Sequence, residues 1–220
     1  MDIEKARFNM IEQQIRPWDV LDQDILESLG RIKREDFVPP AYRDLAFADV
    51  EIPLVIDGKR TGQTMFSPKL EARLLQSLGV HKHESALEIG TGSGYGTALL
   101  AQRTRKVQSW EIDPTIHDFA AANLRRAGIT DVRLKLGDGS RLAGDERFDA
   151  IILSGSVAQP PEDLLARLHE GGRLIAIVGE APTMQGRLFT RVGKAFTSHV
   201  LFETVAPRLQ GFPIGKRFRF

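Results

Sequence analysis

The run Leu87-Glu88-Ile89-Gly90-Thr91-Gly92-Ser93-Gly94-Tyr95 constrains this chain more than any other. The apolar stretch Ala86 to Ile89 reads as a short strand and Tyr95 to Arg103 as a helix, so three alternate glycines fall in the turn between them. Glycine suits that turn because the backbone must reverse sharply and a ligand can approach the main chain with no Cβ in the way. The N–H groups at the start of the following helix are free to meet a polar or anionic ligand. A strand, a glycine turn and a helix in this order open a doubly wound sheet, whose ligands lie at the carboxyl ends of the strands.

The alternation then continues. Val107 to Ile112, Val132 to Leu136, Phe148 to Leu153 and Arg173 to Val178 read as further strands, the fourth of the set almost wholly apolar as a buried parallel strand is. Helices are expected at Pro114 to Ala127, closed by Gly128, and at Pro161 to Leu168, closed by Gly171-Gly172. Arg187 to Val192 and Ala195 to Glu203, joined by Gly193-Lys194, predict a hairpin, so the sheet should finish antiparallel. Upstream, Asp2 can cap a helix carrying Ile3, Phe8, Ile11 and Ile15 that ends near Arg16-Pro17, and Asp22 precedes Ile25, Leu26, Leu29 and Ile32, a helical spacing interrupted by Gly30. Ala41 to Leu45 reads as a short helical turn. Asp49 to Thr64 reads as loop and short extended pieces with a turn at Asp57-Gly58-Lys59, and Ser67-Pro68 opens a helix ending at Gly79.

The chemistry of the turn narrows the ligand. The spacing is G-x-G-x-G, unlike the G-x-G-x-x-G of dinucleotide binders. Glu88 sits two residues before Gly90 at the end of an apolar strand. A carboxylate there suits a ligand bearing an ammonium, as S-adenosylmethionine does and a pyrophosphate does not. Glu111 ends the second strand, 17 residues beyond Gly94, where a carboxylate can accept both ribose hydroxyls. Asp138, between Gly137 and Gly139 after the third strand, can meet the adenine amino group. Each feature alone has a structural reading, as a solvated strand end or a turn residue, but the four fall in register. The expectation is an α/β protein with the Rossmann-like sheet of class I methyltransferases, mostly parallel with an antiparallel C-terminal hairpin, and S-adenosylmethionine as cofactor. Glu88, Gly90, Thr91, Gly92, Ser93, Gly94, Tyr95, Glu111, Ile112, Asp138, Gly139 and Ser154 are the expected cofactor residues.

Composition removes other chemistries. The chain has no cysteine, which excludes disulfides, cysteine-based zinc sites and the cysteine attack that methylates carbon 5 of pyrimidines. The five histidines show no ligand spacing, so no metal is expected. With 30 basic and 29 acidic side chains, the net charge of +1 provides no global field for nucleic acid or anionic membrane. No apolar run approaches the ~20 residues of a membrane span, and Met1-Asp2-Ile3-Glu4-Lys5 is not a secretory signal, so a cytoplasmic protein is expected. At 220 residues the chain suits one compact unit, with residues 1–80 as a helical cap and acceptor-side loop and 81–220 as the cofactor-binding domain.

Along nearly its whole length the sequence resembles the protein-L-isoaspartate (D-aspartate) O-methyltransferase family. Leu87 to Tyr95 is similar to the family's first motif, Phe148-Asp149-Ala150-Ile151-Ile152 to its fourth-strand motif, and Glu170-Gly171-Gly172-Arg173-Leu174 to the start of its fifth. Arg34-Glu35-Asp36-Phe37-Val38-Pro39 resembles its R-E-x-F-V-P segment, and Gly62-Gln63-Thr64 the start of its substrate-binding stretch. The resemblance implies carboxyl O-methylation of isoaspartyl residues in damaged proteins, with a protein or peptide as partner. It also implies Thr64, Ser67 and the Ser154 to Ser156 loop as acceptor-positioning groups. The chain departs from the family where G-Q-T-I-S-x-P becomes Gly62-Gln63-Thr64-Met65-Phe66-Ser67-Pro68, so the family serine falls on Phe66, and where T-A-A-x becomes Ser154-Gly155-Ser156-Val157.

An anionic carboxylate acceptor requires no general base, which accounts for the absence of a catalytic constellation; alignment and exclusion of water are what such an enzyme must supply. Two alternatives remain open: a small-molecule methyltransferase of the same fold, with Phe66 shaping an apolar pocket, and a cofactor-binding protein without catalysis. A base-methylating enzyme is disfavoured because Leu153-Ser154-Gly155-Ser156 replaces the N/D-P-P-Y/F loop that holds a flipped base. The basic tail Lys216-Arg217-Phe218-Arg219-Phe220 reads as a frayed terminus or short edge strand more readily than as a phosphate contact. Ser67 has its own structural reading, as the cap of the helix that Pro68 begins.

Overall fold

A computed structural model of the chain describes residues 2–213; the basic tail at 216–220 lies outside the described residues. Its centre is a seven-stranded sheet in the order β5-β4-β3-β6-β7-β8-β9, with β3 at Ser85–Ile89, β4 at Lys106–Glu111, β5 at Val132–Leu136, β6 at Phe148–Val157, β7 at Leu168–Glu180, β8 at Thr183–Val192 and β9 at Ala195–Thr204. β5 through β7 pair in parallel, whereas β8 and β9 run antiparallel as the expected hairpin. Between β3 and β6 the winding changes direction, which places the ligand crevice at their carboxyl ends.

Local chemistry explains most of the boundaries. Asp2 caps α1 (Ile3–Asn9), accepting from the Lys5 amide, and the run continues as one π-helical stretch, Met10–Ile15, and a 3₁₀ turn, Arg16–Trp18. Met10, Ile11 and Ile15 are buried, but Ile3 and Phe8 are exposed, so the expected apolar face is only its C-terminal half. Asp22 caps α2 (Gln23–Arg31) through the Asp24 and Ile25 amides, and the helix passes through Gly30 uninterrupted. α4 (Tyr95–Arg103) and α5 (Pro114–Arg126) fall where their patterns place them, the latter capped by Asp113.

Three segments differ from expectation. Residues 49–64 hold a true hairpin, β1 (Ile52–Ile56) with β2 (Lys59–Met65), turned by Asp57 and Gly58, both at positive φ. That pair of left-handed residues matches the right-handed twist of the flanking strands. The expected helix at 161–168 is a single turn, α6 (Glu162–Leu165), because the chain joins β7 already at Leu168, opposite Phe148. Ser154 to Ser156 is not a loop but part of β6, with irregular pairing between Ile152 and Ser156.

The N-terminal elements and α3 (Pro68–Leu78) pack on the sheet through one continuous apolar cluster, in which Met10, Ile15, Leu29 and Phe37 join Leu75, Ala86, Ile175 and Ile177. A second cluster, around Leu87, Ile151, Leu153, Leu165 and Leu174, fills the opposite face of the sheet. Residues 206–210 return across the carboxyl ends of the strands: the Ser156 amide donates to Pro207 at 2.7 Å and the Leu209 amide to the Ser156 carbonyl at 2.9 Å. Among the described residues no helix is long and apolar enough to cross a membrane.

Candidate active site

The strand-to-helix turn builds the floor of the site. Gly90, Gly92 and Gly94 all have positive φ, which requires glycine, and Gly94 adds a packing reason: a Cβ there would stand 3.2 Å from Leu124. The Gly90 amide donates to the Trp110 carbonyl, holding the turn against β4. Glu111 pins it from the same strand. Its Oε2 accepts from the Gly92 amide at 2.9 Å, and its Oε1 accepts from Ile112 and Asp113 at 3.0 and 3.1 Å. Burial raises the Glu111 carboxyl above its usual range, and those three amides offset part of the rise.

Above this floor lies an open cleft. Glu111, Ile112 and Asp113 line one side, Gly137, Gly139 and Trp110 another, Leu54, Gln63 and Thr64 of the β1–β2 hairpin a third, and Leu209 and Gln210 close it. A smaller cavity continues from it, sharing Thr64, Gly90, Gly92 and Ser154 and adding Phe66, Glu71, Glu88, Thr91, Ser93 and Gly96. One elongated site therefore runs from the end of β4, over the glycine turn, to the start of α3.

Glu88 stands at its inner end, almost fully buried, and is held by three hydroxyls: Thr97, Ser109 at 2.7 Å and Ser154 at 3.1 Å. Burial pushes its carboxyl up to about 7; the Thr97 and Ser109 hydroxyls work against that rise, the nearby Glu71 charge adds to it, and the Ser154 hydroxyl opposes it. Hydroxyls can donate to a carboxylate or accept from a carboxylic acid, so this cradle accommodates either form.

Most of the expected cofactor residues converge here: Glu88, Gly90, Thr91, Gly92, Ser93, Glu111, Ile112, Gly139 and Ser154 all line the two cavities. Three of the expected residues line neither cavity. Gly94 shapes the turn from behind, against Leu124, without lining either cavity. Tyr95 turns its ring into the N-terminal cluster, 5.6 Å from Phe37 and beneath the Arg34 guanidinium, so its side chain does not reach the cleft. Asp138 has its Oδ1 accepting from the Ser140 amide and hydroxyl at 2.9 and 2.7 Å, with Gly211 packed directly against it.

Of the residues expected to position the acceptor, Thr64 lines both cavities, its hydroxyl 3.2 Å from Glu51. Ser67 lines neither. It occupies the position before α3 with extended backbone but makes no capping hydrogen bond, so the expected side-chain cap is absent and Pro68 alone starts the helix. Phe66 is buried and lines the small cavity, and its carbonyl accepts from Arg34 at 2.7 Å. Arg34, wholly buried, also reaches the Ala46 carbonyl at 3.1 Å and Glu71 at 3.2 Å. The R-E-x-F-V-P segment thus fastens the acceptor-side loop to α3. Sequence reasoning missed Trp110, Leu209 and Glu71; the first two carry no local signal, whereas an acidic residue on the apolar run of α3 was a visible departure.

The arrangement has known counterparts. The family model for protein-L-isoaspartate(D-aspartate) O-methyltransferase matches residues 5–205. A protein-L-isoaspartate O-methyltransferase of Methanoculleus marisnigri is 38% identical over 80% of this chain and 78% of its own. A solved protein-L-isoaspartate O-methyltransferase superposes with a TM-score of 0.78 at 26% identity, covering 95% of this chain and 66% of that one. The fold also matches a Plasmodium falciparum β-aspartate methyltransferase in complex with S-adenosyl-L-homocysteine, with a TM-score of 0.79 at 19% identity over 96% of this chain and 99% of that one. The chain therefore belongs to the protein-L-isoaspartate(D-aspartate) O-methyltransferase family and is an S-adenosylmethionine-dependent methyltransferase.

Proposed function

We propose that this enzyme methylates the carboxyl group of isoaspartyl residues in damaged proteins or peptides, as a repair activity. The observation that carries the reading is the continuity of the two cavities: Thr64 of the hairpin borders both the cleft of Glu111 and the cavity of Glu88. Residues fit for the cofactor thus lead directly to the segment where the family meets its acceptor. Glu111, whose three amides leave one lone-pair site on Oε2, is proposed to accept a ribose hydroxyl there, Gly90 and Gly92 let the ligand approach the backbone, and Glu88 suits the ammonium. When bound, the cofactor supplies a methyl group on a sulfonium, already activated for transfer. The chain's own task is to align a carboxylate oxygen with that methyl and exclude water. Thr64 and the backbone around it are the groups proposed to hold the acceptor, residues 1–80 forming the cap that carries them. Ser67 is a weaker candidate from its position outside the cavities.

The buried Phe66, standing where the family has serine, favours a second reading in which the acceptor is a smaller, more apolar carboxylate. No nucleic-acid or membrane partner is proposed, and the cytoplasm is the proposed compartment, in keeping with a chain free of cysteine. Incubation with labelled cofactor and isoaspartyl peptides, followed by vapour diffusion of the methanol released by base, tests the activity. Base-labile labelling of the isoaspartyl peptide but not of its aspartyl counterpart is expected; transfer only to small carboxylates would replace it with the second reading.

A further inference from the structure

Glu71 and Glu88 meet at Gly96. The Oε1 atoms of both carboxyls lie 2.8 Å from the point where a Cβ on Gly96 would stand. Gly96 sits within α4 without a positive φ, so its backbone has no need of glycine, and alanine would favour the helix. The space is what requires glycine: a methyl group there would displace one or both carboxyls. Both carboxyls line the inner cavity, which continues from the cofactor cleft. Glu71 accepts from the Arg34 guanidinium through Oε2 at 3.2 Å and directs Oε1 toward Gly96 beside Glu88.

We propose that Glu71 is a second carboxylate ligand of the cofactor's α-ammonium, acting together with Glu88 across Gly96. The inference rests on the cofactor reading and sharpens it, since it assigns the amino-acid end of the ligand to the cavity between α3 and β3. An ammonium carries three N–H donors and can satisfy two carboxylates that otherwise repel one another. The groups facing Glu71 are Arg34 from the N-terminal segment, Glu88 from β3 and the Tyr95 phenol from α4, with the Arg7–Glu35 ion pair behind Arg34. Burial, with Arg34 opposing it, sets the Glu71 carboxyl at about 7, as burial also does for Glu88. In the absence of ligand the pair therefore retains a proton near neutrality, and the arriving ammonium expels it.

Calorimetric binding of S-adenosylhomocysteine to the full chain, beside 5′-methylthioadenosine, which lacks the amino-acid end, separates the outcomes. For the unaltered protein, affinity for S-adenosylhomocysteine should rise about tenfold from pH 6 to pH 8, as one ionisation near 7 requires, while methylthioadenosine affinity stays flat. Glu71→Gln should weaken S-adenosylhomocysteine at least tenfold at pH 8, reduce its pH dependence and leave methylthioadenosine unchanged. Gly96→Ala should show the same selective loss. Unchanged S-adenosylhomocysteine binding by Glu71→Gln, or equal loss of both ligands, would overturn the proposal while leaving the cofactor assignment in place. Failure of the unaltered protein to bind S-adenosylhomocysteine would instead remove the cofactor assignment itself.

Discussion

Glu111 and Gly92 are joined by a 2.9 Å hydrogen bond in which a carboxylate from the end of β4 accepts the amide at the middle of the glycine turn. Glu111 thus holds the shape of the turn and also lines the cleft beside it. Replacing Glu111 by Ala should therefore weaken S-adenosylhomocysteine binding by about 10- to 100-fold, the usual worth of hydrogen bonds to a charged group. Calorimetry at constant pH checks this, and a variant that binds within threefold of the unaltered protein would remove Glu111 from the site.

Arg34 holds together three parts of the chain that share no sequence proximity: the Ala46 carbonyl, the Phe66 carbonyl and the Glu71 carboxylate. It is wholly buried, so removing it strands acceptors that water cannot reach. Arg34→Met should lower stability by about 3–5 kcal/mol, as expected for breaking a buried ion pair by deleting one partner. Urea unfolding of the two proteins measures the difference, and a loss below about 1 kcal/mol would mean the pair is solvated in solution.

Glu88 predicts an unusual pH dependence for the unliganded protein. Its folded carboxyl titrates at about 7, above the ordinary 4.5 of the unfolded chain, so the folded state holds more protons between those limits. Its contribution to stability is accordingly complete below about pH 4.5 and is lost as pH rises through about 7. The melting temperature should fall between pH 5.5 and 8, and Glu88→Gln should flatten that fall. An identical profile in the variant would show that Glu88 is ionised throughout.

Thr64 stands where the two cavities meet. It borders both cavities, yet its hydroxyl is committed to Glu51 alone at 3.2 Å. Thr64→Val should reduce kcat/KM for an isoaspartyl peptide about tenfold or more, the loss of one hydrogen bond to a carboxylate, with S-adenosylhomocysteine affinity within twofold. Equal effects on both ligands would place Thr64 on the cofactor side.

What the sequence disclosed follows from how local each signal is. The glycine turn, Glu88 and Glu111 were legible because strand, turn and helix fix their geometry within a few residues. Tyr95 and Asp138 belong to the same motifs, but their side chains are aimed by distant contacts, Phe37 and Arg34 for one and Gly211 for the other. No pattern in residues 90–140 carries that information. The β1–β2 hairpin escaped the reading because its second strand is mostly polar and solvent-facing, although Asp57-Gly58 marked its turn. Phe66 was recognised as a departure from the family; that it is both core and cavity wall required the packing of α3.

Leu209 covers Gly90 and Gly155 so closely that a Cβ on either would stand 2.7 Å from it. The cleft therefore draws on Leu54 of the first hairpin, on four adjacent strand ends, those of β5, β4, β3 and β6, and on a segment that follows β9 in the chain. Such a site is built from contacts distant in sequence, the kind that are intrinsically slow to form. Ligand binding here would act as a conformational assay, since partly folded chains lack one wall and bind nothing. By mass action, the cofactor would then draw the chain toward the completed state before any methyl group is transferred.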